Sequence, residues 1–262
     1  MQKYFLLLVL LSLTRITALS QKEFKPLLQK TKQTVIDFRN DRNVKPPKIP
    51  VTVQRTIFSK VFGKYLLDAN KCNPQFDASG STDALRAARD AGQIVPVIND
   101  MVNGSFTAAG QSQVVYVIAV GECNASHADS YGTKRVAIFS GQQLVANVDA
   151  DFQSAILLKM DLNSDGVDEL LMISGDINQG LLVETSSLVD FRQGHRRVIQ
   201  DFGTVVEDSC GSGAPGSTTK ASVLSLSDLE PGTMPTLKIE NYVSNCRTPK
   251  HWRLLSTGKM AE

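Results

Sequence analysis

The residues with the clearest capacity for chemistry lie in one short stretch, Asp161-Leu162-Asn163-Ser164-Asp165-Gly166-Val167-Asp168-Glu169. Oxygen-bearing side chains fall at its first, third and fifth positions. A glycine at the sixth permits a tight turn, and a carboxylate stands at the ninth. Alternate residues of a tight loop can converge on a hard cation, and calcium takes six to eight oxygen ligands. The expected ligand set is the side chains of Asp161, Asn163, Asp165 and Glu169 with the Val167 carbonyl as a fifth. The bland alternative is a metal-free hairpin turn, since Asp, Asn and Gly favour turns on their own account.

The elements on either side are strand-like. Ala155-Ile156-Leu157-Leu158-Lys159-Met160 precedes the loop, and Leu170-Leu171-Met172-Ile173 follows it. An EF-hand is excluded, because its twelfth position requires a bidentate Glu and Met172 stands there. Asp-x-Asn-x-Asp-Gly-x-x-Glu between two strands instead resembles the FG-GAP and VCBS repeats, the calcium loops of integrin-type β-propeller blades. Ile138-Phe139-Ser140-Gly141 is similar to the Phe/Gly element of such repeats. The resemblance is confined to residues 154–176. It implies structural calcium, an extracellular binding or scaffold role without catalysis, and a partial propeller-like arrangement. A second strand-loop-strand copy, Ser222 to Ile239, keeps only Asp228 and Glu230 of the acidic positions.

From about residue 111 onward, short Val/Ile/Leu runs alternate with Gly, Asp, Asn and Ser, the pattern of strands and turns. Strands are expected near 113–120, 134–139, 143–148, 154–160, 169–174, 180–186, 197–206, 220–226, 235–241 and 251–256. Residues 21–110 read as helical. Phe24, Leu27, Leu28, Val35 and Phe38 recur at roughly helical spacing, and Ile57, Phe58, Val61, Phe62, Tyr65 and Leu66 repeat an amphipathic pattern. A third helix is expected from Ser81-Thr82-Asp83, which supplies a cap, through Arg89. Ile94 to Met101 fits neither period clearly. The expected fold is therefore α+β, with a helical region over 21–110 and a β-rich domain over 111–262 that bears the loop.

The first twenty residues have the form of a cleavable secretory signal: Lys3, an apolar run from Phe5 to Leu11, and Ala18-Leu19-Ser20 at a cleavage point after Ser20. The apolar run is short of the roughly 20 residues that span a bilayer, so no membrane span is expected after cleavage. The formal charge of +2 is due to Lys3 and Arg15, so the chain from Gln21 onward is formally neutral. That argues against nucleic acid as a main partner, since such domains usually carry a basic excess. Cys72, Cys123, Cys210 and Cys246 are even in number, and outside the cytoplasm they read as two disulfides. Three pairings are open, and sequence proximity favours Cys72–Cys123 with Cys210–Cys246.

Other chemistry is thinly supported. His127, His195 and His251 are far apart, and Cys123 with His127 lacks the two further ligands that zinc needs. Asp151, Asp176, Asp190 and Asp201 stand near expected strand ends, where a glycosidase carboxylate pair could lie, but solvated turn carboxylates are the favoured explanation. The leading reading is a secreted, non-catalytic binding or scaffold protein with a structural calcium loop and a protein or glycan ligand. A secreted hydrolase with structural calcium, and an envelope-anchored structural protein, are the alternatives.

Overall fold

The computed structural model of the chain describes residues 23–24, 33–40, 45–71, 92–122, 134–227 and 232–259. Two antiparallel sheets dominate them. The first holds β3 (Ile94–Gly104), β4 (Gln113–Glu122), β5 (Lys134–Ser140) and β6 (Gln143–Asp149) in that order. The second runs in chain order through β7 (Ala155–Met160), β8 (Glu169–Asn178), β9 (Leu181–Asp190), β10 (Arg197–Asp208), β11 (Thr218–Ser227), β12 (Thr236–Asn245) and β13 (Thr248–Lys259). It curls into a half-barrel. Two short N-terminal strands join it. β1 (Glu23–Phe24) pairs parallel with β7, and β2 (Gln33–Asp37) pairs antiparallel with β11.

Side-chain alternation explains why so many strands read as continuous apolar runs: both of their faces are buried. On β4, Val115 and Val117 face the second sheet, while Tyr116 and Ile118 face outward. On β5, Val136 and Ile138 point inward with them, and Ala137 and Phe139 point outward. β8 divides in the same way. Leu170 and Met172 meet the first sheet, and Leu171 and Ile173 fill the concave side of the second. The inter-sheet layer is closed by Phe106 and Phe191, both wholly buried. The concave layer gathers Phe38, Leu188, Phe202, Val205, Leu224 and Leu226, among others.

The one α-helix among the described residues, α1 (Val51–Phe62), covers the outward face of the first sheet. Pro50 precedes it, where a missing N–H costs nothing, and Gly63 at φ 74° ends it. Its buried residues, Ile57, Phe58 and Val61, are three of those whose spacing marks an amphipathic helix. Phe58 packs edge-on against Tyr65 with ring centres 5.5 Å apart.

The expected α+β class, with a helical region over 21–110 before a propeller-like β part, is overturned by this arrangement. The protein is mainly β, and strands extend into its N-terminal third. Gln33–Asp37 is a strand because β-branched Thr34, Val35 and Ile36 fit a pleated surface that β11 supplies. Ile94–Gly104 is a strand despite Pro96, since β3 lies at a sheet edge, where a missing N–H breaks no second ladder. The signal segment, the helix expected over 81–89, and Cys72 and Cys123 lie outside the described residues.

Cys210 and Cys246 form a disulfide with Cα atoms 5.5 Å apart, as sequence proximity favours. It ties the β10–β11 connection to the β12–β13 turn and closes a loop of 36 residues in sequence separation, which limits the freedom of the unfolded chain.

Candidate cation-binding loop

Residues 161–168 connect two adjacent antiparallel strands, β7 and β8. The loop turns on its own carboxylates. Asp161 accepts from the backbone N–H of Asp165 through Oδ1 at 3.1 Å and from that of Gly166 through Oδ2 at 3.0 Å. Asp165 Oδ1 accepts from the Val167 N–H at 2.9 Å. These are the side-chain-to-backbone bonds by which Asp stabilises turns. Gly166 is required on two counts. Its φ is +82°, and a Cβ there would lie 3.1 Å from that of Ala109.

Other loops fix this turn from several sides. The backbone N–H of Asp168 donates to the Ser105 carbonyl at 2.6 Å, and Asp168 Oδ2 accepts from the Ser105 N–H at 2.7 Å. Lys159 Nζ lies 3.7 Å from the same Oδ2. Gly104 makes this approach possible, because a Cβ on it would stand 2.4 Å from Asp168 Oδ2 and 2.6 Å from the Phe106 ring. Gln113, 3 % exposed, stiffens the facing turn by accepting from the Phe106 and Thr107 N–H groups at 2.8 and 3.0 Å. Thr107 O in turn accepts from the Gln193 N–H at 3.0 Å, which brings the β9–β10 turn alongside. On another side, Asn163 O accepts from the Gly232 N–H at 2.9 Å.

Glu169 opens β8 and is wholly buried. Its Oε2 accepts from the Leu162 N–H at 2.9 Å. Burial pushes its carboxyl up to about 7. The Leu162 bond and the Arg192 charge oppose that rise, and the charges of Asp165 and Asp161 add to it. Asp165 behaves differently. Burial raises it, but hydrogen bonds from Asn163, the Val167 N–H and Arg192 outweigh burial and hold it below its ordinary value.

Arg192, in the 3₁₀ turn Arg192–Gly194, reaches over the loop. Its Nη2 lies 2.6 Å from Asp165 Oδ2 and 3.4 Å from Glu169 Oε1, and its Nε lies 3.5 Å from Asp190 Oδ2. Asp190, only 1 % exposed, also pairs with Arg197. Asn163 Nδ2 donates to Asp165 Oδ2 at 2.9 Å, while Asn163 Oδ1 is shielded from solvent and has no hydrogen-bond partner.

The residues present fit a hard cation. The set is all oxygen, it includes a fully buried carboxylate, and it includes an orphaned amide oxygen. Asp161, Asn163, Asp165 and Glu169 are the side chains that would hold the ion. Val167 places its side chain in the core and gives its N–H to Asp165. The loop carboxylates do not close into a compact cage in this structure. Among the described residues, the one group of three acidic or sulfur ligands within 4.8 Å of one another is Asp208, Cys210 and Cys246, whose sulfurs are joined in the disulfide.

Two partners of the site had no readable sign in the sequence. Asp190 looked like any strand-end carboxylate, and Arg192 belongs to no motif. Asp190 is brought in by the β8–β9 pairing, which sets Val189 opposite Leu170, and Arg192 by the β9–β10 turn that follows. The other residues with chemical potential stay apart. His195 and His251 are exposed, Asp151 lies 3.5 Å from Arg196, and Asp201 accepts from the Gly203 N–H. Cys123 and His127 lie outside the described residues. No protein-family model, curated protein or solved structure matches the chain.

Proposed function

We propose that this chain is a non-catalytic binding or scaffold module of the space outside the cytoplasm, and that Asp161, Asn163, Asp165 and Glu169 hold a structural calcium ion. The observation that carries the reading is Glu169. A carboxylate with no solvent exposure and one backbone donor is costly to keep ionised, and a bound divalent cation offsets that cost. The loop's likeness to FG-GAP and VCBS calcium loops supports the same ion and a role without catalysis. The Cys210–Cys246 disulfide supports an oxidising compartment. Among the described residues, no helix is long and apolar enough to cross a membrane. The ligand class proposed for the module is a protein or glycan.

Calcium here would supply charge neutralisation and a fixed joint. The loop already touches the Ser105 turn of the first sheet and the Gly232 N–H. An ion gripping Asp161 and Glu169 would therefore pin the start of β8 to both. Extracellular calcium modules bind with dissociation constants of about 10⁻⁴–10⁻³ M. Equilibrium dialysis against radioactive calcium tests the assignment. One ion per chain is expected in the millimolar range, reduced at least tenfold in affinity by Asp161→Ala. Binding that survives Asp161→Ala unchanged would place the ion elsewhere and reject this loop.

A further inference from the structure

We propose that Arg192 is the loop's resident counter-ion, and that a divalent cation enters by displacing its guanidinium from Asp165 and Glu169. This inference rests on the calcium reading of the loop. Its basis is the distribution of oxygens. Backbone N–H groups already engage both oxygens of Asp161, one oxygen of Asp165 and one of Glu169. The remaining oxygens of the two ligand candidates are Asp165 Oδ2 and Glu169 Oε1. A single nitrogen, Arg192 Nη2, lies within 3.4 Å of both. A calcium ion binds oxygen at 2.3–2.6 Å. An ion at that distance from both oxygens would compete with Nη2 for the same two acceptors.

The surroundings suit an exchange. The Arg192 backbone is fixed, since its carbonyl accepts from the His195 N–H at 3.1 Å and the next residue bonds to Thr107. Its side chain is 35 % exposed, so the guanidinium has an open path to solvent. Asp190 Oδ2, 3.5 Å from Nε, gives it an acid to stay against when it leaves Asp165 and Glu169. Asn163 completes the set. In the arginine-held state its amide nitrogen faces Asp165 and its oxygen has no partner, and a cation at the Nη2 position would favour the opposite amide orientation. The loop then has two charge-balanced states. One is closed by its own arginine, and the other is held by an external ion, with calcium concentration choosing between them.

Isothermal titration of the full secreted chain with calcium chloride tests this, using the unmutated protein, Arg192→Met and Arg192→Lys. Arg192→Met keeps the length of the side chain but removes its charge, and about tenfold tighter calcium binding is expected. Arg192→Lys keeps a charge and should bind within about threefold of the unmutated protein. Calcium binding by Arg192→Met alone would also support displacement. Equal or weaker binding by Arg192→Met, with the unmutated protein still binding, overturns displacement and leaves the calcium loop standing. No calcium binding by any of the three overturns both. A second readout needs no variant. In a ¹⁵N spectrum of the unmutated protein, the Arg192 Nε–H resonance is expected to shift and to exchange faster with water as calcium is added. A resonance that saturating calcium leaves in place also overturns displacement.

Discussion

Asp168→Ala is expected to destabilise the protein by about 3 kcal/mol, although Asp168 is not among the proposed calcium ligands. Its carboxylate has two tasks. It accepts from the Ser105 N–H at 2.7 Å, and it is the acid 3.7 Å from Lys159 Nζ. Lys159 is 8 % exposed, so the substitution leaves a nearly buried ammonium without this partner and a backbone donor unsatisfied. Breaking a buried pair by removing one member costs roughly 3–5 kcal/mol, and residual solvent access at this pair argues for the lower end. Asp168→Asn keeps an acceptor for Ser105 and loses only the charge, so it should retain about half of the lost stability. Urea unfolding of the three proteins in EGTA separates the effects. A loss under about 1 kcal/mol for Asp168→Ala would show that the Ser105 contact does not hold the loop to the first sheet.

The second large effect concerns Glu169 and grows with pH. In the metal-free protein its carboxyl is pushed up to about 7, against an ordinary value of 4.5. Below pH 4.5 the group is protonated in both folded and unfolded chains and contributes no penalty. As pH rises the unfolded chain ionises first, so the folded state is penalised increasingly until its own carboxyl ionises near 7. At 1.36 kcal/mol per pH unit, the loss amounts to about 3 kcal/mol between pH 4.5 and 7 and is constant above that. Glu169→Gln is neutral at every pH and offers Oε1 to the Leu162 N–H. In EGTA at pH 8 it should be more stable than the unmutated protein by up to about 3 kcal/mol, and the two should converge near pH 4.5. Calcium reverses the advantage by holding Glu169 ionised, so calcium affinity should rise as pH approaches 7. Parallel stability–pH curves for the two proteins in EGTA would contradict the burial cost assigned to Glu169.

The strands from Gln113 to Lys259 were legible because each is short, apolar and bracketed by turn residues. All ten expected segments overlap an observed strand. The N-terminal third was not legible, for a physical reason. Gln33–Asp37 has too few residues to show a period, and its partner β11 lies far along the chain, so the choice of strand over helix is made by tertiary pairing. Pro96 carried the opposite message locally, and only its place on an edge strand explains it. At the site, the loop acids are contiguous and their spacing was readable. Asp190 closes β9 and reaches the site because β8–β9 pairing sets Val189 opposite Leu170, and Arg192 follows in the β9–β10 turn, which the Gln193–Thr107 bond holds beside the Ser105 turn. The polarity of a loop is written in its residues, but the charge that will face it is set by how neighbouring loops dock.

Thermal unfolding of residues 21–262 in EGTA and in millimolar calcium, with Asp165→Ala as the control, tests the calcium loop most directly. At ten times the dissociation constant, calcium adds about 1.4 kcal/mol, equivalent to a rise of roughly 3–5 °C in Tm for a chain of this size. The expected result is that rise in the unmutated protein and its loss in Asp165→Ala. An unmutated protein that melts at the same temperature in both solutions would contradict the proposal and reduce Asp161–Glu169 to a hairpin turn closed by Arg192.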